Sequence, residues 1–167
     1  DFRANGSVDP ADAEYVALKA NGFRDYRLIV DGLVETPLAL SLTDLRRMPS
    51  RTQITKHDCV EGWTSIGKWK GARLSAVLDR ARLKPEAKYV VFHCFDALDQ
   101  TEEGDRYYES IDIPEAYHEQ SILAYEMNDE TLPIRHGAPI RLRLERPLGC
   151  KMAKYIQRSE AGESVVH

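Results

Sequence analysis

Cys59 is the first residue of this sequence whose surroundings could support chemistry. It lies in the segment HDCVEGW, where a β-rich stretch gives way to a glycine-containing loop. The thiolate is the reactive form of cysteine, and nearby cations stabilise it. Lys56 and His57 could provide that positive field, whereas Asp58 and Glu61 would oppose it. Two interpretations of Cys59 therefore remain open from these residues, a reactive thiolate and an inert buried cysteine.

A second candidate site is the segment RHGAPIR, which covers residues 135–141. Gly137 and Pro139 favour a bent loop before the strand that follows, and this bend places His136 and Arg141 near the start of that strand. The planar guanidinium of arginine matches the geometry of phosphate. The segment therefore predicts either an anion-binding loop or a strand whose charges are paired at its edges.

The third candidate is the segment PLGCK, which contains Gly149, Cys150 and Lys151. A turn at this point would present backbone N–H groups together with an ammonium group, and such a concave arrangement suits an anion. The motif is short, so it gains weight only in combination with the other two.

The charge distribution also favours an anionic ligand at one place. The net charge of the 167-residue chain is −4. Residues 96–133 hold twelve acidic residues and one basic residue, whereas residues 135–158 hold seven basic residues and one acidic residue. A basic segment within an acidic protein indicates a localised anion-binding site more than a nucleic-acid-binding surface.

Several common classes of site have no support in the sequence. The three cysteines form no CxxC pair, so neither a structural zinc site nor a disulfide framework is favoured. A glycine-rich phosphate loop, a GxSxG elbow and an HExxH motif are all missing. No apolar stretch approaches the roughly 20 residues of a membrane-spanning helix.

The elements that must position these residues are short strands and helices. Residues 52–56 form a predicted strand that leads into His57, and LSAVLDRARL has the apolar periodicity of a helix. Residues 26–30 and 33–36 predict a hairpin around a turn at Asp31 and Gly32. Residues 88–95 predict an apolar strand, and the alternation in residues 140–144 predicts a half-buried strand. Without a repeating βα rhythm, the pattern indicates an α+β fold, with residues 1–167 as one domain.

Six segments in order resemble a known family. They are HDCVEGW, KWKGARLSAVL, YYESIDIPEA, ILAYEMNDETLP, HGAPIRL and LGCKMAKYI. Their order and spacing resemble those of the sulfite-oxidase-like molybdopterin-dependent oxidoreductases, and among these the bacterial periplasmic methionine sulfoxide reductases. The resemblance covers about residues 2–160 and implies the mixed-sheet, sulfite-oxidase-type molybdopterin-binding fold.

The resemblance also implies a molybdenum-molybdopterin cofactor and a set of site residues. Cys59 matches the cysteine that ligates molybdenum, and a soft thiolate suits a metal already bound by two dithiolene sulfurs. His57 and Trp63 match neighbours of the metal, and His57 is assigned with Cys59 to the catalytic group. The positions that match cofactor-binding residues are Asn5, Cys94, His136, Arg141, Gly149, Cys150 and Lys151.

The activity implied by the resemblance is oxygen-atom transfer to or from a small sulfur-containing substrate, with S-oxide reduction favoured over sulfite oxidation. Because the sequence contains no haem-attachment CxxCH motif, the resemblance implies a redox partner protein, either a haem-containing membrane subunit or a cytochrome. A periplasmic location, with the cytoplasm as the alternative, a monomeric state and no nucleic-acid partner are further expectations. Two other hypotheses remain, a non-catalytic binding module with a structural Cys59 and a cysteine-nucleophile enzyme.

Overall fold

A computed structural model describes residues 11–58, 64–97, 106–144 and 153–164. Within these ranges, short helices connect the strands. They are α1 (Ala13–Ala20), α2 (Leu42–Arg47), α3 (Leu74–Ala81), α4 (Ile113–Ala116) and a 3-10 helix (Ile134–His136). None of these helices is long and apolar enough to cross a membrane.

The strands of the described residues form two five-stranded sheets. The first has the order β2-β1-β10-β5-β6, and the second has the order β3-β4-β7-β8 with β9 also paired to β7. The bounds are β1 (Leu28–Gly32), β2 (Leu38–Leu40), β3 (Ser50–Asp58), β4 (Thr64–Arg73), β5 (Tyr89–Ala97), β6 (Arg106–Asp112), β7 (Ile122–Met127), β8 (Glu130–Thr131), β9 (Arg141–Arg143) and β10 (Ile156–Gly162). Strands β1 and β10 are parallel, whereas the other pairs are antiparallel, so the first sheet is mixed.

Helix α3 confirms the periodicity of LSAVLDRARL. Its buried residues are Leu74, Val77, Leu78 and Ala81, which recur at helical spacing on one face. This face joins a hydrophobic core that contains Leu28 and Phe92 of the first sheet and Leu123 of the second. The core therefore lies between the two sheets, and the predicted α+β fold class is confirmed.

The predicted hairpin between residues 26–30 and 33–36 is wrong. Gly32 has a φ of +84° but remains part of β1, whose antiparallel partner is β2 at Leu38–Leu40. The segment after Gly32 instead passes the end of α3, where Val34 is buried and bridges to Leu83. The burial of Val34 outweighs the local preference of Asp31 and Gly32 for a turn. The edge of β1 that does not pair with β2 pairs with β10.

Candidate functional site

Four basic side chains are buried at the end of the 3-10 helix, in β9 and in the segment that precedes β10. We call them the basic cluster: His136, Arg141, Arg143 and Lys154, whose exposed fractions are 2%, 3%, 5% and 5%. Burial of a cation away from water is costly unless an anion or several hydrogen-bond acceptors compensate for it. The chemical question is therefore which group compensates these charges.

The backbone around Gly137 brings the members of the basic cluster close together. Gly137 follows the 3-10 helix with a φ of +116°, a conformation that favours glycine. A Cβ atom at this position would lie 2.9 Å from Cβ of Lys154 and 3.1 Å from Cβ of Arg141. Tyr155 also donates its N–H to the carbonyl oxygen of Gly137 at 3.2 Å. The predicted bend therefore exists, and its glycine permits the close approach of two basic residues.

The strand prediction for residues 140–144 is correct in position but wrong in burial. All five residues are buried, including Arg141 and Arg143. Ile140, Leu142 and Leu144 pack in the core between the sheets. The two arginines instead lie against Trp69, which belongs to a second, smaller hydrophobic cluster. Alternate residues of this strand therefore face two different buried environments, one apolar and one that holds the arginines.

Trp69 and Thr55 organise the two arginines. The guanidinium carbons of Arg141 and Arg143 lie 5.0 Å and 4.5 Å from the centroid of the Trp69 ring, within the range of cation–π contacts. Thr55 Oγ1 accepts one hydrogen bond from Trp69 Nε1 and another from Arg143 Nη2, both at 3.1 Å. A hydroxyl oxygen has two acceptor sites, so both are used.

The hydrogen-bonding capacity of the basic cluster is only partly used within the described residues. Arg141 Nη1 donates to the carbonyl oxygen of His136 at 3.2 Å. His136 Nε2, Arg141 Nε and Arg143 Nε are buried and have no hydrogen-bond partner in the described part of the chain. Among the same residues, no carboxylate forms an ion pair with either guanidinium. These are the properties of a site that receives an anion with several acceptor oxygens.

Among the described residues, the carboxylate of Glu109 lies near the basic cluster. Glu109 on β6 raises the pKa of Arg141 through its negative charge, a smaller effect than the burial that lowers it. Glu109 Oε1 accepts a hydrogen bond from the N–H of Ala153 at 2.7 Å. Glu109 therefore holds the segment that carries Lys154 while it offsets part of the positive charge.

Burial and mutual repulsion shift the pKa values of the cluster. Burial, followed by the positive charges of Arg141, Arg135 and Lys154, lowers the pKa of His136 to about 4. Burial followed by repulsion from Arg143 lowers the pKa of Arg141 to about 9, and burial lowers that of Arg143 to about 10. At neutral pH, His136 is therefore neutral while both arginines are charged, which leaves one imidazole nitrogen able to donate a hydrogen bond.

The lowered pKa of His136 predicts a pH dependence of the apoprotein. Between about pH 6.5 and pH 4 the unfolded chain binds a proton at this residue that the folded chain excludes, so stability falls as the pH is lowered through this range. Over this range the free energy of unfolding of the wild type should fall by up to about 3 kcal/mol because of this residue, and His136→Gln should not show that fall. Urea unfolding at pH 7 and pH 4.5 measures the difference, with His118→Gln, at an exposed histidine, as the control. Equal pH slopes in the three proteins would contradict the prediction.

The structure brings together two of the residues predicted to bind the cofactor, because Arg141 donates a hydrogen bond to the backbone carbonyl of His136. Cys94 lies on β5 opposite Ile156 and is buried in the core between the sheets. His57 belongs to β3, where its backbone pairs with Ser65. The predicted residues outside the described ranges are Asn5, Cys59, Trp63, Gly149, Cys150 and Lys151.

The residues that the sequence analysis missed are Thr55, Trp69, Arg143 and Lys154. Arg143 and Lys154 belong to the basic segment of residues 135–158. The high proportion of basic residues in this segment was the signal that could have identified them. Trp69 occurs in one of the family segments, but nothing in that segment indicates contact with β9. Thr55 has no local signal, because its role depends on a partner 88 residues away.

Residues 15–165 match the family described as the oxidoreductase molybdopterin binding domain. The chain belongs to this family. The recognition made from the ordered segments is therefore confirmed, and molybdopterin is the cofactor of the domain.

Individual relatives of this molybdopterin-binding domain carry related names. A protein of Azospira oryzae with the provisional name protein-methionine-sulfoxide reductase subunit YedZ1 is 42% identical over 132 residues, which are 79% of this chain and 47% of that protein. The protein-methionine-sulfoxide reductase catalytic subunit MsrP of Campylobacter jejuni is 31% identical over 162 residues, 92% of this chain and 54% of MsrP. The chain thus spans about half the length of these relatives.

A solved structure with the same architecture supports the fold assignment. The sulfane dehydrogenase SoxCD of Paracoccus pantotrophus superposes with a TM-score of 0.68 over 84% of this chain and 39% of the SoxCD chain, at 25% sequence identity. The predicted sulfite-oxidase-type fold is therefore confirmed for this molybdopterin-binding domain.

The described residues fit the anionic part of the cofactor. Molybdopterin carries a phosphate group, and the basic cluster offers buried N–H groups at Arg141 Nε and Arg143 Nε that lack partners in the described ranges, beside the ring nitrogen Nε2 of His136, which also lacks one. When bound, the cofactor supplies two-electron redox chemistry that the side chains of the protein cannot perform. The chain itself provides buried positive charge at the basic cluster, which suits the negative charge of the phosphate.

Proposed function

We propose that this domain is the cofactor-binding part of an oxidoreductase that removes the oxygen atom from a small S-oxide. The observation that carries the proposal is the buried basic cluster, whose two guanidinium groups have no carboxylate ion-pair partner within the described residues. The names of the relatives support the choice of substrate, since YedZ1 and MsrP are both named as subunits of methionine-sulfoxide reductases. The overall conversion consumes two electrons and two protons and releases a sulfide and water.

The proposed roles of the residues follow from their chemistry. His136, Arg141 and the turn Gly149–Lys151 bind the pterin and its phosphate, with Asn5, Cys94 and Cys150 as further cofactor contacts. Cys59 is the proposed protein ligand of molybdenum, with His57 beside it. β3 ends at Asp58, directly before Cys59.

The reaction direction has electrostatic support in the β5–β6 connection. The stretch Asp96–Glu109, which spans this connection, contains six acidic residues and one basic residue. It follows closely after Cys94, one of the proposed cofactor contacts. A negative field at this place would repel sulfite, which is an anion, and would leave a neutral S-oxide unaffected. This argument favours S-oxide reduction over sulfite oxidation.

The partner and the location are part of the same proposal. Both relatives are named as subunits, and this supports a partner subunit that supplies electrons, either a haem-containing membrane subunit or a cytochrome. The resemblance to the methionine sulfoxide reductases supports the periplasm as the location. We further propose that residues 1–167 form one domain and that this domain is monomeric apart from its redox partner.

The proposal is tested with protein expressed in a host that makes the cofactor. We expect molybdenum and pterin in near-stoichiometric amounts, and faster turnover of methionine sulfoxide with an artificial electron donor than of sulfite with an acceptor. Added salt should raise the sulfite rate, because screening weakens the repulsion. Purified protein without molybdenum would refute the proposal and favour a binding module or a cysteine-nucleophile enzyme. A sulfite rate that exceeds the sulfoxide rate and falls with salt would establish sulfite oxidation instead.

A further inference from the structure

Arg143 is held differently from the other members of the basic cluster. Its Nη2 donates to Thr55 on β3, and its guanidinium stacks on Trp69 of β4, so that it is fixed by two strands other than its own. The same hydroxyl of Thr55 accepts from Trp69 Nε1. The Trp69 ring and the hydrogen bond to Thr55 hold this guanidinium in place, while its buried Nε has no hydrogen-bond partner in the described residues.

Arg141 and Arg143 also act on each other. Both lie within 5.0 Å of the same indole centroid, and the charge of Arg143 is the second largest cause, after burial, that lowers the pKa of Arg141. Each has a buried Nε without a partner in the described chain. Two like charges held together in this way are stabilised when one multivalent anion accepts hydrogen bonds from both.

We propose that Arg143 and Arg141 form a two-guanidinium site for a phosphate monoester, and that Thr55 and Trp69 are positioning residues for Arg143. The identification of this phosphate as that of molybdopterin rests on the proposed function. A phosphate dianion has enough charge and enough acceptor oxygens for two guanidinium groups, whereas a single carboxylate has half that charge. The exposed fractions of 3% and 5% suit a resident group that stays bound, rather than a substrate that exchanges in each turnover.

The first experiment measures phosphate binding by the 167-residue apoprotein. The chain has two tryptophans, so Trp63→Phe leaves Trp69 as the only fluorescent indole. In this background we expect inorganic phosphate to change the Trp69 emission saturably and to raise the thermal midpoint. Arg143→Gln should weaken phosphate binding about ten- to hundredfold, as expected for loss of a charge-assisted contact, and Arg143→Lys should weaken it less. Arg80→Gln is the matched control, because Arg80 is exposed on α3.

The second experiment measures the molybdenum and pterin that remain bound after purification from the cofactor-producing host. Arg143→Gln should lose at least tenfold more of both than Arg80→Gln. Thr55→Val, which keeps the shape but removes the hydroxyl, should lose part of the cofactor, and Thr55→Ser should restore it. A purely structural role of Thr55 would instead lower the thermal midpoint of the Thr55→Val apoprotein enough to account for its loss of cofactor.

The outcomes separate this inference from the proposed function. If the wild-type chain binds molybdenum while Arg143→Gln keeps wild-type cofactor and phosphate affinity, the two-guanidinium site is refuted and the proposed function stands. If the wild-type chain contains no molybdenum but binds phosphate in an Arg143-dependent way, the site stands as a phosphate site and the proposed function fails. If sulfite, but not phosphate, shows Arg143-dependent binding, the arginine serves the substrate and the inference is refuted.

Discussion

Cys59→Ser is expected to reduce turnover of the loaded enzyme to less than about a tenth of the wild-type rate, which corresponds to more than about 1.4 kcal/mol of activation free energy. The reason is that the variant loses the soft thiolate proposed as the protein ligand of molybdenum, and a hydroxyl is a poor substitute. Steady-state rates with methionine sulfoxide and an artificial donor measure the effect. The rates are divided by the molybdenum content of each preparation, so that incomplete loading does not count as lost catalysis.

The same variant should keep its fold and most of its pterin, because the proposed phosphate contacts at the basic cluster remain. The thermal midpoint of the apoprotein and the pterin content are therefore the controls. Activity above about a tenth of wild type in a fully loaded Cys59→Ser protein would show that Cys59 is not the metal ligand. Loss of pterin and of thermal stability together would indicate a structural cysteine, which is the other interpretation that the sequence left open.

Arg141→Met is expected to have the second largest effect, a loss of cofactor retention of about ten- to hundredfold with little change in the stability of the apoprotein. In the apoprotein the guanidinium is buried and its pKa is lowered to about 9, so its charge is held at a cost. Replacement of a buried charge by an apolar side chain of similar length is often neutral or stabilising. With cofactor present, the same change removes a charge-assisted contact worth about 1.5–3 kcal/mol.

Cofactor retention in this test is the molybdenum and pterin content after dialysis, and apoprotein stability comes from urea unfolding. Arg80→Met is the matched control for a change from arginine to methionine at an exposed position. Lys151→Ala should show the same pattern if the Gly149–Lys151 turn binds the phosphate. A fall in apoprotein stability that accounts for the whole loss of cofactor would mean that Arg141 is only a structural charge of β9.

The sequence by itself determined the features that depend on neighbouring residues. The periodicity of α3 is local, because every third or fourth side chain of a helix shares a face, and its four apolar residues are buried as predicted. The bend at Gly137 is local as well, since its positive φ is a property of that residue. Six ordered segments identified the family, and with it the cofactor, although no single segment was specific.

The tertiary structure decided which charges are buried and what they contact. A strand pattern of period two shows that the two faces differ, but it cannot show that the polar face of β9 is covered by Trp69. The hydrogen bonds that converge on Thr55 come from residues 14 and 88 positions away, and only the pairing of β3, β4, β7 and β9 brings them together. For the same reason the turn at Gly32 was misread, because its outcome depends on the burial of Val34 beside α3 and on the pairing of β1 with β10. Contacts between residues far apart in the chain depend on how whole sheets pack, and a local sequence pattern does not determine that packing.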